Sequence, residues 1–255
     1  MLFRPSSVPV LGYHKVGSSV VAENDHFLNV SSLVFEQQIK LMLRMGYRAC
    51  NLSEIWRQQG GKYRQTEKRF VITFDDGYQS VIDFAFPILK QYNCTATVFV
   101  VPQYIGKSNQ WDEGKNLPIL PLMDWSALIQ LQKAGWEIGG HTYSHLPLDE
   151  TNTEEALRDI CLGKTEIEDK LGVSLKSFCY PYGRLSAGTP ELVKKAGFHI
   201  ACTTKNGYAR LNHNPFLLPR IMTNRRGLLM FAYRLLLRPL LPSVRPIMRA
   251  IGLKP

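Results

Sequence analysis

The sequence predicts an α/β fold built on a parallel sheet, and the number of its units suits a barrel. Three observations carry that reading. Short β-branched and aromatic runs alternate with amphipathic helical stretches over most of the 255 residues, in about six to seven units. One run, Thr95 to Val101, is nearly continuous in β-branched and aromatic residues, as a strand buried on both faces requires. A second, Phe70 to Phe74, stops at Asp75-Asp76-Gly77, which puts two carboxylates and a turn residue at a strand's C-terminal end, where α/β barrels carry their chemistry.

Composition narrows the class. A hydrophobic content of 45% is ample for a core, and there is no internal repeat or low-complexity tract. No Gly-rich phosphate loop is present, which counts against a nucleotide enzyme. The five cysteines are scattered without a CxxC pair, a pattern of reduced thiols rather than of a disulfide scaffold or a cysteine-ligated zinc. Of the net charge of +10, all but two units sit in eight basic residues from Arg220 onward, a stretch that holds no acid. The body is therefore near neutral, which argues against a nucleic-acid partner. Met1 to Val10 has no apolar stretch of signal-peptide length, so a cytoplasmic location is expected.

Taken in order, Val8 to His14 reads as an early strand with His14 at its end. Phe35, Ile39, Met42 and Leu43 recur at helical spacing in a helix from about Ser32 to Met45, stopped by Gly46. A short extended piece at Tyr47 to Cys50, a helix at Leu52 to Gln59 and a polar linker from Gly60 to Lys68 lead to the central strand. Ser80 to Tyr92 is helical in pattern, although Pro87 should end or kink it. Asp124 caps a helix through Ala134 that Gly135 closes, and Trp136 to Thr142 is the next strand. Thr151 and Glu154 have capping-box spacing for a helix to about Leu171, with Gly172 past its end. Ser177 to Tyr180 leads as a strand into Pro181-Tyr182-Gly183, followed by a short helix at Pro190 to Ala196 and a strand at His199 to Thr203.

Two features bear chemistry. Asp75 and Asp76 read either as a solvated Asp-Asp-Gly turn or as paired acids that a turn at Gly77 brings to one rim. His141 and His145, at i and i+4 between paired glycines and Pro147, are either a chance pair or two imidazoles converging on one cation. Two histidines and one carboxylate would make an open metal site, with Asp76 a candidate for the carboxylate and zinc favoured by the mixed donors.

The combination resembles the polysaccharide deacetylases of carbohydrate esterase family 4, the NodB-homology domain. The resemblance rests on Thr73-Phe74-Asp75-Asp76-Gly77, on His141-Thr142-Tyr143-Ser144-His145 and on Tyr180-Pro181-Tyr182-Gly183, and spans about residues 8 to 222. It implies a distorted (β/α) barrel of about seven parallel strands. It also implies roles: Asp75 as general base, Asp76, His141 and His145 as metal ligands, and the Tyr182 N–H, in the Pro181 to Gly183 turn, as an oxyanion donor. The expected reaction is metal-dependent removal of N-acetyl groups from amino sugars of a polysaccharide or lipid-linked glycan. Rival readings are a deformylase or deacetylase of a non-polymeric amide, an inactive carbohydrate-binding module on the same fold, and a glycosidase using Asp75 and Asp76.

The chain departs from the family pattern in three places. The usual late Leu-x-His motif has only Leu211-Asn212-His213 to match it, in an Asn- and Pro-rich turn, so His14 is the better candidate for the catalytic acid. That placement resembles the permuted poly-N-acetylglucosamine deacetylase subgroup; otherwise His14 is simply a histidine at a strand end. Cys179 stands where many members have the arginine that orients the base, and Arg220 is the candidate to replace it from another strand. The fourth, Asp-and-Trp motif is not recognisable around Cys202 to Tyr208.

The expected organisation is a catalytic domain over 1–222 and a basic amphipathic tail over 223–255. Arginines and prolines interrupt the tail's leucines, and its longest uncharged apolar run, Leu228 to Tyr233, is far short of a membrane span. It reads either as an interfacial segment on an anionic membrane, at the inner face of the cell membrane, or as a helix packed on its own barrel.

Overall fold

A computed structural model describes residues 7–17, 28–57, 68–210, 214–223, 227–233 and 235. The chain enters through β1 (Ser7–Val8), β2 (Val10–Tyr13) and a short parallel pair, β3 (Lys15–Gly17) and β4 (Asn29–Ser31). Next, α1 (Ser32–Arg44), β5 (Tyr47–Cys50) and α2 (Leu52–Arg57) precede the central strand β6 (Lys68–Phe74). Strands and helices then alternate: α3 (Phe86–Gln91), β7 (Thr97–Val100), α4 (Trp125–Lys133), β8 (Glu137–Gly140), α5 (Thr153–Leu171), β9 (Ser177–Cys179), α6 (Thr189–Lys195) and β10 (Ile200–Asn206). β11 (Ala209–Arg210) pairs antiparallel with β1, and β12 (Leu218–Met222) and α7 (Gly227–Ala232) follow.

Seven parallel strands close into a barrel in the order β2, β12, β10, β9, β8, β7, β6 and back to β2, with β5 added along the first half of β6. The period-2 alternation of a strand divides each stave between two apolar environments. Val10, Val71, Cys179, Ile200, Cys202 and Leu218 fill the interior, while Leu11, Ile72, Phe178, Ala201 and Ile221 belong to the larger core under the helices. Burial on both faces is why these strands are apolar without a polar alternation. The same parity carries Thr73 and Asp75 inward on β6 and Arg220 inward on β12.

β12 is the strand that the sequence conceals. Pro219 cannot donate to a ladder, and its presence demotes the segment in any reading by propensity. Here the pairing with β10 slips beside the proline, from Cys202 opposite Leu218 to Asn206 opposite Arg220, and the strand still pairs with β2 and closes the ring. Pro87 also acts differently from expectation. A π-helical turn, Val81–Ala85, precedes it and α3 runs through it, so the chain widens by one residue instead of breaking. The cap of α5 is Asn152, one residue later than the expected Thr151; its side chain accepts from the N–H of Glu155 at 2.9 Å. Thr151 instead donates to the Pro147 carbonyl.

The first described part of the tail packs on its own barrel. α7 lies against α1, Phe231 and Leu235 are buried in the main core, and the Tyr208 hydroxyl donates to the Leu235 carbonyl. Residues 60–67, His213 and residues 236–255 lie outside the described residues, and with them the linker, the Leu-Asn-His alternative and most of the interfacial reading. Among the described residues, no helix is long and apolar enough to cross a membrane.

Candidate metal and active site

The two carboxylates leave the end of β6 in different directions. The Asp75 N–H donates to the Tyr13 carbonyl at 3.0 Å, which continues the ladder with β2 and keeps Asp75 facing the barrel axis. Asp76 (φ 72) and Gly77 (φ 77) then both adopt left-handed backbone, and the chain turns over the rim. The turn therefore separates the pair into an inner and an outer acid.

Arg220 takes the inner one. It is fully buried, and its two terminal nitrogens donate to the two oxygens of Asp75 at 2.7 Å each. The same two nitrogens also donate to the Thr73 hydroxyl and the Cys179 sulfur, and Nε donates to the Thr203 carbonyl. Gly12 makes room for the Met222 side chain beside the head group: a Cβ there would lie 2.6 Å from the Met222 sulfur, and in ordinary contact, 3.5 Å, with the guanidinium carbon. Burial alone would raise the Asp75 carboxyl, but the charge and hydrogen bonds of Arg220 outweigh it and hold the acid below the usual carboxylate range. Cys179 is pushed up to about 11 by burial, against the pull of Arg220, so it meets the guanidinium as a neutral thiol. His14 reaches the same carboxylate from the end of β2, with Nε2 3.7 Å from Asp75 Oδ2, and is partly open to solvent.

Replacing Arg220 by Met should therefore leave a buried carboxylate unpaired, at a cost of about 3–5 kcal/mol near neutral pH. The folded Asp75 is depressed, so its stabilising contribution exists above the unfolded value of about 3.9 and fades as pH falls through the folded one. Urea unfolding at pH 7 should separate wild type and variant, and the gap should narrow as the pH falls, first as the variant's Asp75, raised by burial, takes up a proton and then, below about 4, as wild type loses its own contribution. A constant gap would assign the loss to packing.

The outer acid faces the two histidines. His141 Nε2 and His145 Nε2 lie 3.2 and 3.3 Å from Asp76 Oδ1, and all three residues are buried. Ligand atoms of the three lie within 4.8 Å of one another. His141 Nδ1 is 2.7 Å from the Cys179 carbonyl, which can only accept, so Nδ1 carries the proton. Its Nε2 then meets a carboxylate oxygen without a proton of its own unless the ring is charged. A divalent cation among the three donors resolves that contact, and two imidazoles with one carboxylate suit zinc. With no cation in the site, burial would raise Asp76, but a charged His141 and the His145 imidazole donate to it and hold it well below the usual range.

The third motif forms a tight turn. The Gly183 N–H donates to the Tyr180 carbonyl at 2.9 Å, Pro181 occupies the second position and Tyr182 (φ 57) the third, the pattern of a type II turn. The turn's backbone bonds employ the N–H groups of Gly183 and Arg184, not that of Tyr182. Gly183 cannot be enlarged, since a Cβ there would lie 1.9 Å from the Thr204 hydroxyl. The Tyr182 ring packs edge-on against His145 at 4.5 Å, with its hydroxyl accepting from Lys115.

Of the six non-glycine residues with positive φ among the described residues, Asp76, Thr142, His145 and Tyr182 belong to this site. Each such residue stores about 1–3 kcal/mol, and that concentration marks a place where geometry outranks stability. Several neighbours escape motif reading. The Trp111 indole stacks on His145 at 4.4 Å, and Asp159 accepts from the backbone of Tyr143 and Ser144. Trp111 sits in a loop without periodicity and gives no signal. Asp159 has a legible companion in Gly163, a glycine inside a helix, where it costs about 1 kcal/mol relative to Ala and asks for a packing reason.

Comparisons with known proteins give the family and the fold. The family model described as polysaccharide deacetylase matches residues 62–201. The poly-beta-1,6-N-acetyl-D-glucosamine N-deacetylase of Staphylococcus aureus (strain MRSA252) is 25% identical over 241 residues, covering 86% of this chain and 80% of the relative. Two solved structures share the fold. Streptococcus pyogenes deacetylase PplD, in complex with acetate, superposes with a TM-score of 0.75 at 22% identity, over 88% of this chain and 95% of that one. IcaB from Ammonifex degensii gives 0.72 at 24%, over 86% and 92%.

Proposed function

From the premise that the chain belongs to the polysaccharide deacetylase family, we propose that it is a metal-dependent hydrolase removing N-acetyl groups from N-acetylglucosamine units of a polysaccharide. The observation that carries the metal is His141, whose Nδ1 proton is committed to the Cys179 carbonyl while its Nε2 faces Asp76. When bound by Asp76, His141 and His145, a divalent ion such as zinc supplies Lewis-acid activation of water and of the acetyl carbonyl.

The chain's own residues supply the rest. Asp75, kept ionised and aimed by Arg220, takes the proton of the attacking water. The Tyr182 N–H, left out of its own turn, donates to the oxygen that becomes negative as the carbonyl turns tetrahedral. His14, 3.7 Å from Asp75 and partly solvent-exposed, gives a proton to the departing amine nitrogen. The polymeric substrate is supported by the S. aureus relative, which acts on poly-beta-1,6-N-acetyl-D-glucosamine.

The test joins metal content to acetate release. Protein purified without a histidine tag should hold about one zinc per chain. It should release acetate from N-acetylglucosamine oligomers, cease after chelation and resume when zinc is restored. Bound metal without acetate release from any oligomer would remove the polysaccharide substrate and leave another amide.

A further inference from the structure

The loop between the two histidines is held from behind by one helix. Asp159 on α5 accepts three hydrogen bonds from it: the Tyr143 N–H at 2.7 Å, the Ser144 N–H at 3.3 Å and the Ser144 hydroxyl at 2.7 Å. One turn further along, Gly163 offers bare backbone to the same loop. A Cβ at that position would lie 2.9 Å from the Thr142 carbonyl carbon, 2.9 Å from the Tyr143 nitrogen and 3.0 Å from the Thr142 oxygen. Residues at i and i+4 share a helix face, so the acceptor and the gap form one dock. The loop it receives contains Thr142 (φ 61) and His145 (φ 64), two residues in a backbone region that a free loop would leave. The turn is tied further by the Leu146 N–H to the Thr142 hydroxyl, but that bond lies within the loop and does not fix where the loop sits.

We propose that Asp159 and Gly163 are positioning residues for metal binding: they hold the 141–145 loop in its ligating conformation before the ion arrives. This rests on reading Asp76, His141 and His145 as the ligand set. Neither residue touches the ion or the substrate. Their effect is on the fraction of the apo protein whose second imidazole already points at Asp76, and so on affinity.

The test measures zinc affinity of the full-length apo protein by competition with a chromophoric chelator, alongside its urea-unfolding midpoint. Asp159→Leu keeps roughly the size and removes the acceptor for both N–H groups and the Ser144 hydroxyl. Gly163→Ala pushes on the Thr142–Tyr143 peptide. Each should weaken zinc binding about 10- to 100-fold, in the range of other outer-shell partners. Gly163→Ala should also lower the apo unfolding midpoint, because a Cβ 2.9 Å from backbone atoms outweighs the gain in helix propensity, so recovery of turnover at saturating zinc is the readout that a merely structural loss would not show. At saturating zinc the kcat of both variants should return close to wild type. Should either variant fold poorly, Ser144→Ala, which removes only one of the three bonds, should still weaken zinc binding several-fold. Wild-type zinc affinity in the variants, with or without a changed unfolding midpoint, overturns the dock while leaving the metal site intact. Failure of the wild-type protein to bind zinc overturns the reading beneath it, and the two failures are distinguishable in one titration.

Discussion

Asp75→Asn should leave zinc content unchanged and slow acetate release by about a hundred- to ten-thousandfold, the usual range for loss of a general base. The expectation follows from how β6 ends. Asp75 is directed to the barrel axis and Asp76 to the rim, so the amide replaces the proton acceptor without entering the ligand set. The loss should fall on kcat with KM little changed, because the carboxylate acts on the water and not on the sugar. A secondary effect also follows. The amide offers one acceptor and one donor where Arg220 expects two acceptors, so this buried arginine loses a charge partner and the protein should be measurably less stable. Assays therefore belong well below the unfolding transition. Near-wild-type turnover in a folded, zinc-loaded variant would assign the proton transfer to another group.

His141→Ala should fail differently. It removes one of three donors and also the group that the Cys179 carbonyl accepts from, so zinc should be lost on dialysis and activity should fall to background. The loss of affinity should exceed the roughly 10- to 100-fold that outer-shell partners command. Excess zinc should therefore not restore turnover at concentrations that rescue an outer-shell variant. Metal analysis paired with acetate release separates the two cases: full zinc without turnover for Asp75→Asn, neither for His141→Ala. Full zinc and activity in the alanine variant would remove His141 from the ligand set.

Much of the barrel is legible in the sequence for one physical reason: its staves are buried on both faces, so Phe70 to Phe74 and Thr95 to Val101 cannot be mistaken for amphipathic surface elements. The site is legible where local chain geometry does the work, as in the acids before Gly77 and the histidines between Gly140 and Pro147. It becomes obscure where partners arrive from distant strands. Arg220 lies 145 residues from Asp75 and is reached in the sequence only through the family pattern, as a replacement for the arginine missing at Cys179, because Pro219 hides the strand that delivers it. The α5 cap shifts by a residue because Thr151 has a better acceptor in Pro147, a tertiary preference that no capping pattern contains. Trp111 is positioned by loop packing alone. Gly163 is the exception, since a helical glycine carries a visible signal whose cause appears only when the loop behind it is in place.

Arg220 joins four staves of the ring: it stands on β12, binds Thr203 of β10, meets Cys179 of β9, and holds Thr73 and, just past its end, Asp75 of β6. β12 is also the last stave to leave the ribosome, and it inserts between two strands made earlier. A nascent or proteolytically clipped chain ending before Leu218 would thus display all three motifs and yet lack the cation that aims its base.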